Sequence, residues 1–159
     1  MIKEVKWSNR SIFITVIATG ILIAGMICNR ENAVIFNSLA IIVAAMLLSM
    51  WYWSPVAIEV NEHAIVVKKR ISRKTIPYCT IESISSFTPM PWLINQRVVG
   101  SEGYAGYWGW YKDSHIGTYF GYFGESSNCF LIRLKNGRKY VLGCEDSQSM
   151  IDYISKKIS

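Results

Sequence analysis

Two long uncharged segments constrain this chain more than any other feature of its sequence. Residues 11–28 and residues 33–53 contain no Asp, Glu, Lys or Arg. Each approaches or reaches the roughly 20 apolar residues that cross a hydrocarbon core about 30 Å thick. Because only residues 29–32 separate them, the sequence predicts a hairpin of two transmembrane helices within residues 1–53.

A cleaved signal peptide is the alternative for the first segment, since Lys3, Lys6 and Arg10 form a basic leader ahead of it. The segment is long for a signal peptide, however, and a second apolar segment follows almost at once. The residues before Cys28 also do not resemble a lipoprotein processing site. We therefore expect the first segment to be retained as a membrane span.

The basic residues predict the orientation of the hairpin. Arg30 is the one basic residue in the turn, whereas several Lys and Arg residues lie beyond both outer ends. Because basic residues near the ends of spans favour the cytoplasmic side, we expect both termini in the cytoplasm. Aromatic residues of the kind found at membrane interfaces flank the spans: Trp7, Trp51, Tyr52 and Trp53.

Charge and cysteine content restrict the remaining functions. The net charge is +6, but residues 54–159 carry only thirteen Lys and Arg against nine Asp and Glu. The excess of basic residues therefore mainly indicates how the membrane hairpin is oriented, and no nucleic-acid partner is expected. Cys28 lies in the first span, and the other cysteines, Cys79, Cys129 and Cys144, have no CxxC spacing. Free thiols in a reducing compartment are expected, without a metal site.

After Ser54 the sequence takes on the pattern of short strands. Residues 57–60 and 65–67 flank a polar turn, and residues 129–134 and 139–142 flank an Asn-Gly pair, a strong hairpin signal. Residues 76–87 alternate apolar and polar side chains and predict one extended segment. Its inward positions are expected at Ile76, Tyr78, Ile81 and Ile84. About seven short strands are predicted, which indicates a small antiparallel barrel or sandwich over residues 54–159.

An amphipathic helix is predicted at the end of the chain. Asp146 or Ser147 can cap its first turn. Its apolar positions are Met150, Ile151, Tyr153, Ile154 and Ile158.

Residues 100–124 hold seven of the eleven glycines and nine of the twenty-one aromatic residues. Glycine weakens a strand unless its small size or its freedom at positive φ is needed, so we expect bent strands whose backbones pass close to aromatic rings. Alternation places Trp108 and Trp110 on one face and the flanking tyrosines on the other, so some rings are expected at the surface. The candidate partner-contact residues are Tyr104, Tyr107, Trp108, Trp110 and Tyr111. The alternative is that these rings only fill the core.

Several motifs together resemble one known family. They are RVVGS at 97–101, GYWGWY at 106–111 and NCFLIR at 128–133, followed by a hairpin and a helix with an acidic cap. This order and spacing resemble the bacterial PH-like (pleckstrin-homology-like) domains, which often follow a pair of transmembrane helices; the resemblance covers residues 53–157. It implies a membrane-anchored, mainly-β PH-like barrel or sandwich capped by a C-terminal α-helix, at the inner membrane of a bacterium. It brings no reaction and no catalytic residues, because fold alone does not imply function.

The chain offers little for catalysis. Residues 113–115 (Asp-Ser-His) contain triad residue types, but a triad is assembled in space rather than from neighbours in sequence. Residues 100–106 (GxxGxxG) precede no helix that would hold a phosphate. His63 and His115 have no ligand spacing that supports a metal site. We expect no enzyme, no cofactor and no small-molecule substrate.

A basic run follows the second span. Its cationic residues are Lys68, Lys69, Arg70, Arg73 and Lys74. Juxtamembrane Lys and Arg contribute about 1 kcal/mol each near anionic lipid, so these residues are candidate anionic-lipid contacts. The alternative is that they only fix the topology and keep an edge strand soluble.

The expected function is therefore that of a membrane-anchored interaction or scaffold module, which binds a protein partner or a second copy of itself. The alternative is a small subunit or regulator of a membrane transport or envelope system, in which the helical pair is the working part. Charged or several polar residues within the spans would favour that alternative. The second span offers Asn37, Ser38 and Ser49.

Overall fold

The structure, a computed structural model, describes residues 1–89, 96–104 and 106–158, and for residues 96, 97, 102 and 103 only the backbone. Two helices, α1 (Asn9–Cys28) and α2 (Ala33–Trp53), form the N-terminal hairpin. Ser8 caps α1 by accepting a hydrogen bond from the Ser11 N–H at 3.1 Å, and Asn32 caps α2 in the same way. Both helices are long and apolar enough to cross a membrane, and almost none of their residues are buried within the described chain. The two predicted apolar helices are confirmed.

The remaining elements form two sheets and a helix. The strands are β1 (Ile2–Glu4), β2 (Pro55–Val60), β3 (Ala64–Lys69), β4 (Arg73–Pro77), β5 (Ile81–Ser86), β6 (Gln96–Gly103), β7 (Gly106–Asp113), β8 (Gly117–Phe123), β9 (Cys129–Leu134) and β10 (Lys139–Gly143), and α3 (Ser147–Ile158) follows them. One sheet has the order β1-β2-β3-β4, and the other has the order β5-β9-β10-β8-β7-β6. All described pairs are antiparallel except β8 with β10.

The predicted architecture is confirmed as a sandwich capped by a C-terminal helix. Side chains from both sheets and from α3 form one core, which includes Ile58, Ile65, Phe130, Ile132 and Met150. The described strands do not close into a barrel, and nine of them, rather than about seven, follow the helices. Asp146 precedes α3 and receives a side-chain hydrogen bond from Ser149, as expected of the helix cap.

The segment predicted as one strand over residues 76–87 is divided in two, so this prediction was wrong. A 3₁₀ turn at Tyr78–Thr80 separates β4 from β5. The turn transfers the chain from the four-stranded sheet to the six-stranded sheet. The inward positions were nevertheless correct, since Ile76, Tyr78 and Ile81 are buried and Ile84 packs against the core.

Strand β1, which precedes the first helix, was not predicted from the sequence. Ile2 pairs with Glu59 of β2, and the terminal amine of Met1 donates to the Val60 carbonyl at 2.8 Å. Val5 is part of the core, and the Ser8 N–H donates to the Gly124 carbonyl at 3.0 Å. The chain therefore leaves the sandwich, passes through α1 and α2, and returns to the same sheet.

A second cluster of buried side chains lies on the other face of the six-stranded sheet. On β9, Leu131 belongs to this cluster while Phe130 and Ile132 belong to the core between the sheets. Tyr111 and Tyr119 are buried here with their rings stacked at 5.6 Å. Both faces of the sheet therefore carry packed aromatic residues.

Candidate membrane-proximal interaction site

The two faces of β7 differ as the alternation predicted. Tyr111 is buried, and its hydroxyl donates to the Ser101 carbonyl. Tyr107 is half-buried and stacks on Phe123 with ring centroids 5.0 Å apart. These tyrosines belong to the second cluster, so their rings serve packing within the domain.

The opposite face of β7 points toward the end of α2. Trp108 stacks on Trp53, the last residue of α2, with centroids 5.7 Å apart and the planes inclined by 11°. Trp110 makes an edge contact with Phe120 and is 41% exposed. The hydroxyl of Tyr104 lies 3.4 Å from the hydroxyl of Thr19 in α1. All five candidate partner-contact residues are among the described residues, and of these five Trp110 alone is exposed.

Strand β6 adds two further exposed apolar side chains beside Trp110. Val98 and Val99 are 56% and 66% exposed, and Val99 is paired with Trp110 in register. Within the described residues β6 pairs with β7 alone and forms an edge of its sheet. We refer to Val98, Val99 and Trp110 as the edge patch.

The basic run contacts the aromatic end of α2. The Lys69 ammonium lies 4.8 Å from the ring centroid of Trp53 and 5.5 Å from that of Tyr122, and the Arg70 guanidinium lies 4.8 Å from that of Trp51. Such contacts contribute about 0.5–1 kcal/mol at exposed sites and more when water is excluded. Burial, and then the charge of Lys74, lower the pKa of Lys69.

The other members of the basic run differ in their surroundings. Lys68 forms an ion pair with Glu59 at 2.6 Å, and Lys74 lies 5.8 Å from the centroid of Tyr140. Arg73 is exposed. A groove of about 590 Å³ runs between the end of α2 and β2–β3; its lining residues are Trp51, Val56, Ala57, Lys68, Lys69 and Arg70. Arg70 and Arg73 are thus the exposed cations of the run.

The remaining chemical candidates have structural contacts. The Asp113 carboxylate accepts backbone hydrogen bonds from His115 at 2.7 Å and Ile116 at 3.1 Å, which fixes the turn between β7 and β8. The described residues contain no group of three or more His, Cys, Asp or Glu side chains suited to a metal ion. Burial raises the pKa of Cys144 to about 12 and also raises that of Cys129, so neither is an activated nucleophile.

Comparison with known proteins agrees with this architecture. The sequence profile of the bacterial PH domain family matches residues 56–158, more than half of the chain. The protein therefore belongs to the bacterial PH domain family. A search of curated proteins and a search of solved structures give no match. The family assignment predicted from the motifs is confirmed, with nearly the same boundaries.

Sequence reasoning missed the contacts that join the helices to the domain. Trp53 and Trp108 are separated by 55 residues, and no local pattern in the sequence pairs them. Trp51 and Trp53 were expected only as interfacial anchors. The run of Lys and Arg that begins at Lys68, further along the chain, was the one available signal, because aromatic faces attract cations.

Proposed function

We propose that this chain is an integral protein of a bacterial inner membrane, with both termini in the cytoplasm, and that its PH-like domain is a non-enzymatic interaction module. The domain binds a protein partner, or a second copy of the chain, through the edge patch. The observation that carries the proposal is the exposure of Val98 and Val99 on the edge strand β6 and of Trp110 beside them on β7.

Strand addition is the binding mode that this edge favours. An edge strand presents unpaired N–H and C=O groups to which another strand can pair, and neighbouring side chains then supply specificity. Exposed edge strands are commonly protected against pairing with other chains by Lys or Pro, whereas positions 98 and 99 are valines. Exposed aromatic residues such as Trp110 are also frequent energetic centres of interfaces.

The test uses native membranes that contain the full chain. Two differently tagged copies are co-expressed, membrane proteins are cross-linked, and the copies and any partner are captured and identified by mass spectrometry. Val99→Lys is expected to abolish the wild-type cross-links, because a charge on the edge opposes pairing. Ile2→Lys is the matched control, since Ile2 is 55% exposed on the edge strand of the other sheet. Cross-links that persist in Val99→Lys, or are lost equally in Ile2→Lys, would contradict the proposal.

The basic run supports a second contact of the same module, with anionic lipid. The Arg70 guanidinium lies over the ring of Trp51 near the end of α2, and this position supports a contact with lipid head groups. Replacing both Arg70 and Arg73 with Gln is expected to reduce cross-linking of the domain to phosphatidylglycerol in reconstituted vesicles. The double variant Lys135→Gln/Arg138→Gln removes two exposed cations of the β9–β10 turn instead and should leave cross-linking unchanged.

The transport or envelope alternative has less support. The Ser38 hydroxyl donates to the Val34 carbonyl and the Ser49 hydroxyl to the Met46 carbonyl, both within α2. These hydroxyls are therefore used by the helix itself. Both spans lack charged residues between positions 11 and 28 and between 33 and 53, and charged residues inside a membrane usually mark pathways for ions or substrates.

A further inference from the structure

We infer that the turn between β6 and β7 enters the cytoplasmic leaflet of the membrane beside α1 and contacts lipid there. The name β6–β7 turn is used for Ser101 near the end of β6, Tyr104 between the strands and Gly106 at the start of β7. The inference rests on the proposed function, because it takes α1 to span the membrane. It adds that part of the β-domain itself is immersed.

The depth follows from the contact between Tyr104 and Thr19. Thr19 lies ten residues beyond Asn9, the first residue of α1, which is about 15 Å along the axis at 1.5 Å per residue. The whole helix has 20 residues and is about 30 Å long, which only just matches the hydrocarbon thickness. If the level of Thr19 were outside the membrane, the remainder of α1 would be too short to cross it.

A second contact indicates where the β6–β7 hairpin crosses the interface. Trp108 is paired with Ser101 in register and stacks on Trp53, the final residue of α2. Tryptophans at the ends of spans lie at the head-group level. Tyr104 lies deeper in the membrane than this level, toward the middle of α1. Because the tyrosine side chain itself spans part of this distance, the backbone of the turn lies less deep in the membrane than the Tyr104 hydroxyl.

Several polar groups of the β6–β7 turn are bonded within the protein, as a low-dielectric setting requires. The Ser101 hydroxyl is shared between the carbonyls of Tyr104 and Gly106, the latter at 3.2 Å. The Ser101 carbonyl accepts from the Tyr111 hydroxyl. The hydroxyls of Tyr104 and Thr19 bond to each other. Residues 98–111 contain one charged residue, Glu102, which limits how deeply the turn can enter because a carboxylate is costly in hydrocarbon.

The experiment measures depth in vesicles of phosphatidylethanolamine and phosphatidylglycerol that hold the full chain. Cys28 and Cys79, the exposed cysteines, are replaced with Ala and Ser. Single cysteines are then introduced by Tyr104→Cys, Ile21→Cys and Ser114→Cys and labelled with an environment-sensitive fluorophore. Ile21 is 66% exposed on α1 and reports the span itself. Ser114 is exposed at the opposite end of β7 and reports the aqueous part of the domain.

We expect the label at 104 to lose emission to nitroxide carried on lipid acyl chains and to be protected from aqueous iodide, whereas the label at 114 shows the reverse. If the label at 104 behaves like the label at 114 while the label at 21 is quenched by the lipid nitroxide, the inference is overturned, but α1 still spans the membrane. If the label at 21 is also quenched by aqueous iodide, α1 does not span the membrane, and both the proposed membrane anchor and this inference are contradicted. A benzophenone amino acid at position 104 keeps an aromatic ring there and gives an independent readout: lipid adducts support immersion, and their absence opposes it.

Discussion

At the residue scale, glycine positions determine how the aromatic strands lie against one another. Gly100 and Gly109 are opposite each other in β6 and β7, and Gly121 is opposite Gly109 in β8. Gly100 and Gly109 have φ values of +142° and +134°, and a Cβ at either position would overlap a carbonyl oxygen of the neighbouring strand. A Cβ at Gly121 would come within 2.8 Å of the Phe123 ring. These three glycines therefore let the backbones of β6, β7 and β8, and the aromatic rings beside them, approach one another closely.

Gly109→Ala is expected to destabilise the domain by about 1–3 kcal/mol, the usual range for an overpacked site, with the positive φ adding to the strain. The measurement is the denaturation midpoint of the full chain in detergent. Gly20→Ala is the control, because nothing lies within 4 Å of the added Cβ in α1. An unchanged midpoint for Gly109→Ala would show that the strands separate at no cost.

Tyr122 makes stability depend on pH in the alkaline range. Burial, and then the neighbouring Tyr140, raise the pKa of Tyr122 to about 12, compared with about 10 in an unfolded chain. Between these values the unfolded state releases a proton that the folded state retains, so the free energy of unfolding falls as pH rises. We expect Tyr122→Phe to flatten this fall, measured as unfolding midpoints between pH 10 and pH 12. An identical slope in the variant would mean that Tyr122 ionises freely in the folded protein.

At the scale of elements, predictability depended on how local the determining signal was. The lengths of α1 and α2 follow from uncharged segments, and the β9–β10 hairpin follows from Asn136-Gly137, where Gly137 has φ +80°. Strand β1 has three residues and pairs with residues 57–59, so its partner is remote and its own pattern is too short to read. The division of residues 76–87 did have a signal. The inward positions Ile76, Tyr78 and Ile81 are two and then three residues apart, and the second interval does not fit a strand.

The candidate site was predicted less completely because its residues come from separate parts of the chain. Periodicity separated the two faces of β7, but it did not show that Trp108 would be covered by Trp53. Net charge identified the basic run, but it did not show that Lys69 would lie among aromatic rings. Long-range packing, rather than residue type, therefore decided which candidate residues remained exposed.

The helix α3 is the element on which the core depends most directly. Met150, Ile151 and Ile154 are buried in the core that they form with side chains of both sheets, and burial of each contributes about 1.5–3 kcal/mol. Deleting residues 147–159 should therefore unfold the domain, since folded domains have only about 5–15 kcal/mol of stability. Deleting residues 157–159 keeps these three side chains and is the control. Cooperative melting of the longer deletion at an unchanged temperature would show that the sandwich is complete without α3.

At the scale of the whole molecule, both outer ends of the helical hairpin are fixed to one domain. Before α1, β1 pairs with β2, which directly follows α2. Lys3 forms an ion pair with Asp146 at 3.0 Å, and Lys6 forms another with Glu145, next to the start of α3. Residues that were expected to mark topology by charge therefore also join the N-terminal segment to the domain. This arrangement requires an even number of membrane crossings between β1 and β2.

The final prediction concerns the orientation of the helical hairpin in the membrane. Because the basic residues lie at the outer ends of the hairpin and only Arg30 lies in its turn, the domain should be cytoplasmic. A reporter that is active only outside the cytoplasm should be silent when fused after residue 159 and active when inserted after Glu31, between the helices. The two fusions must give opposite results, because the ends and the turn lie on opposite sides of the bilayer. Activity of the fusion after residue 159 would invert the orientation and place Cys79, the exposed cysteine of the domain, in an oxidising compartment.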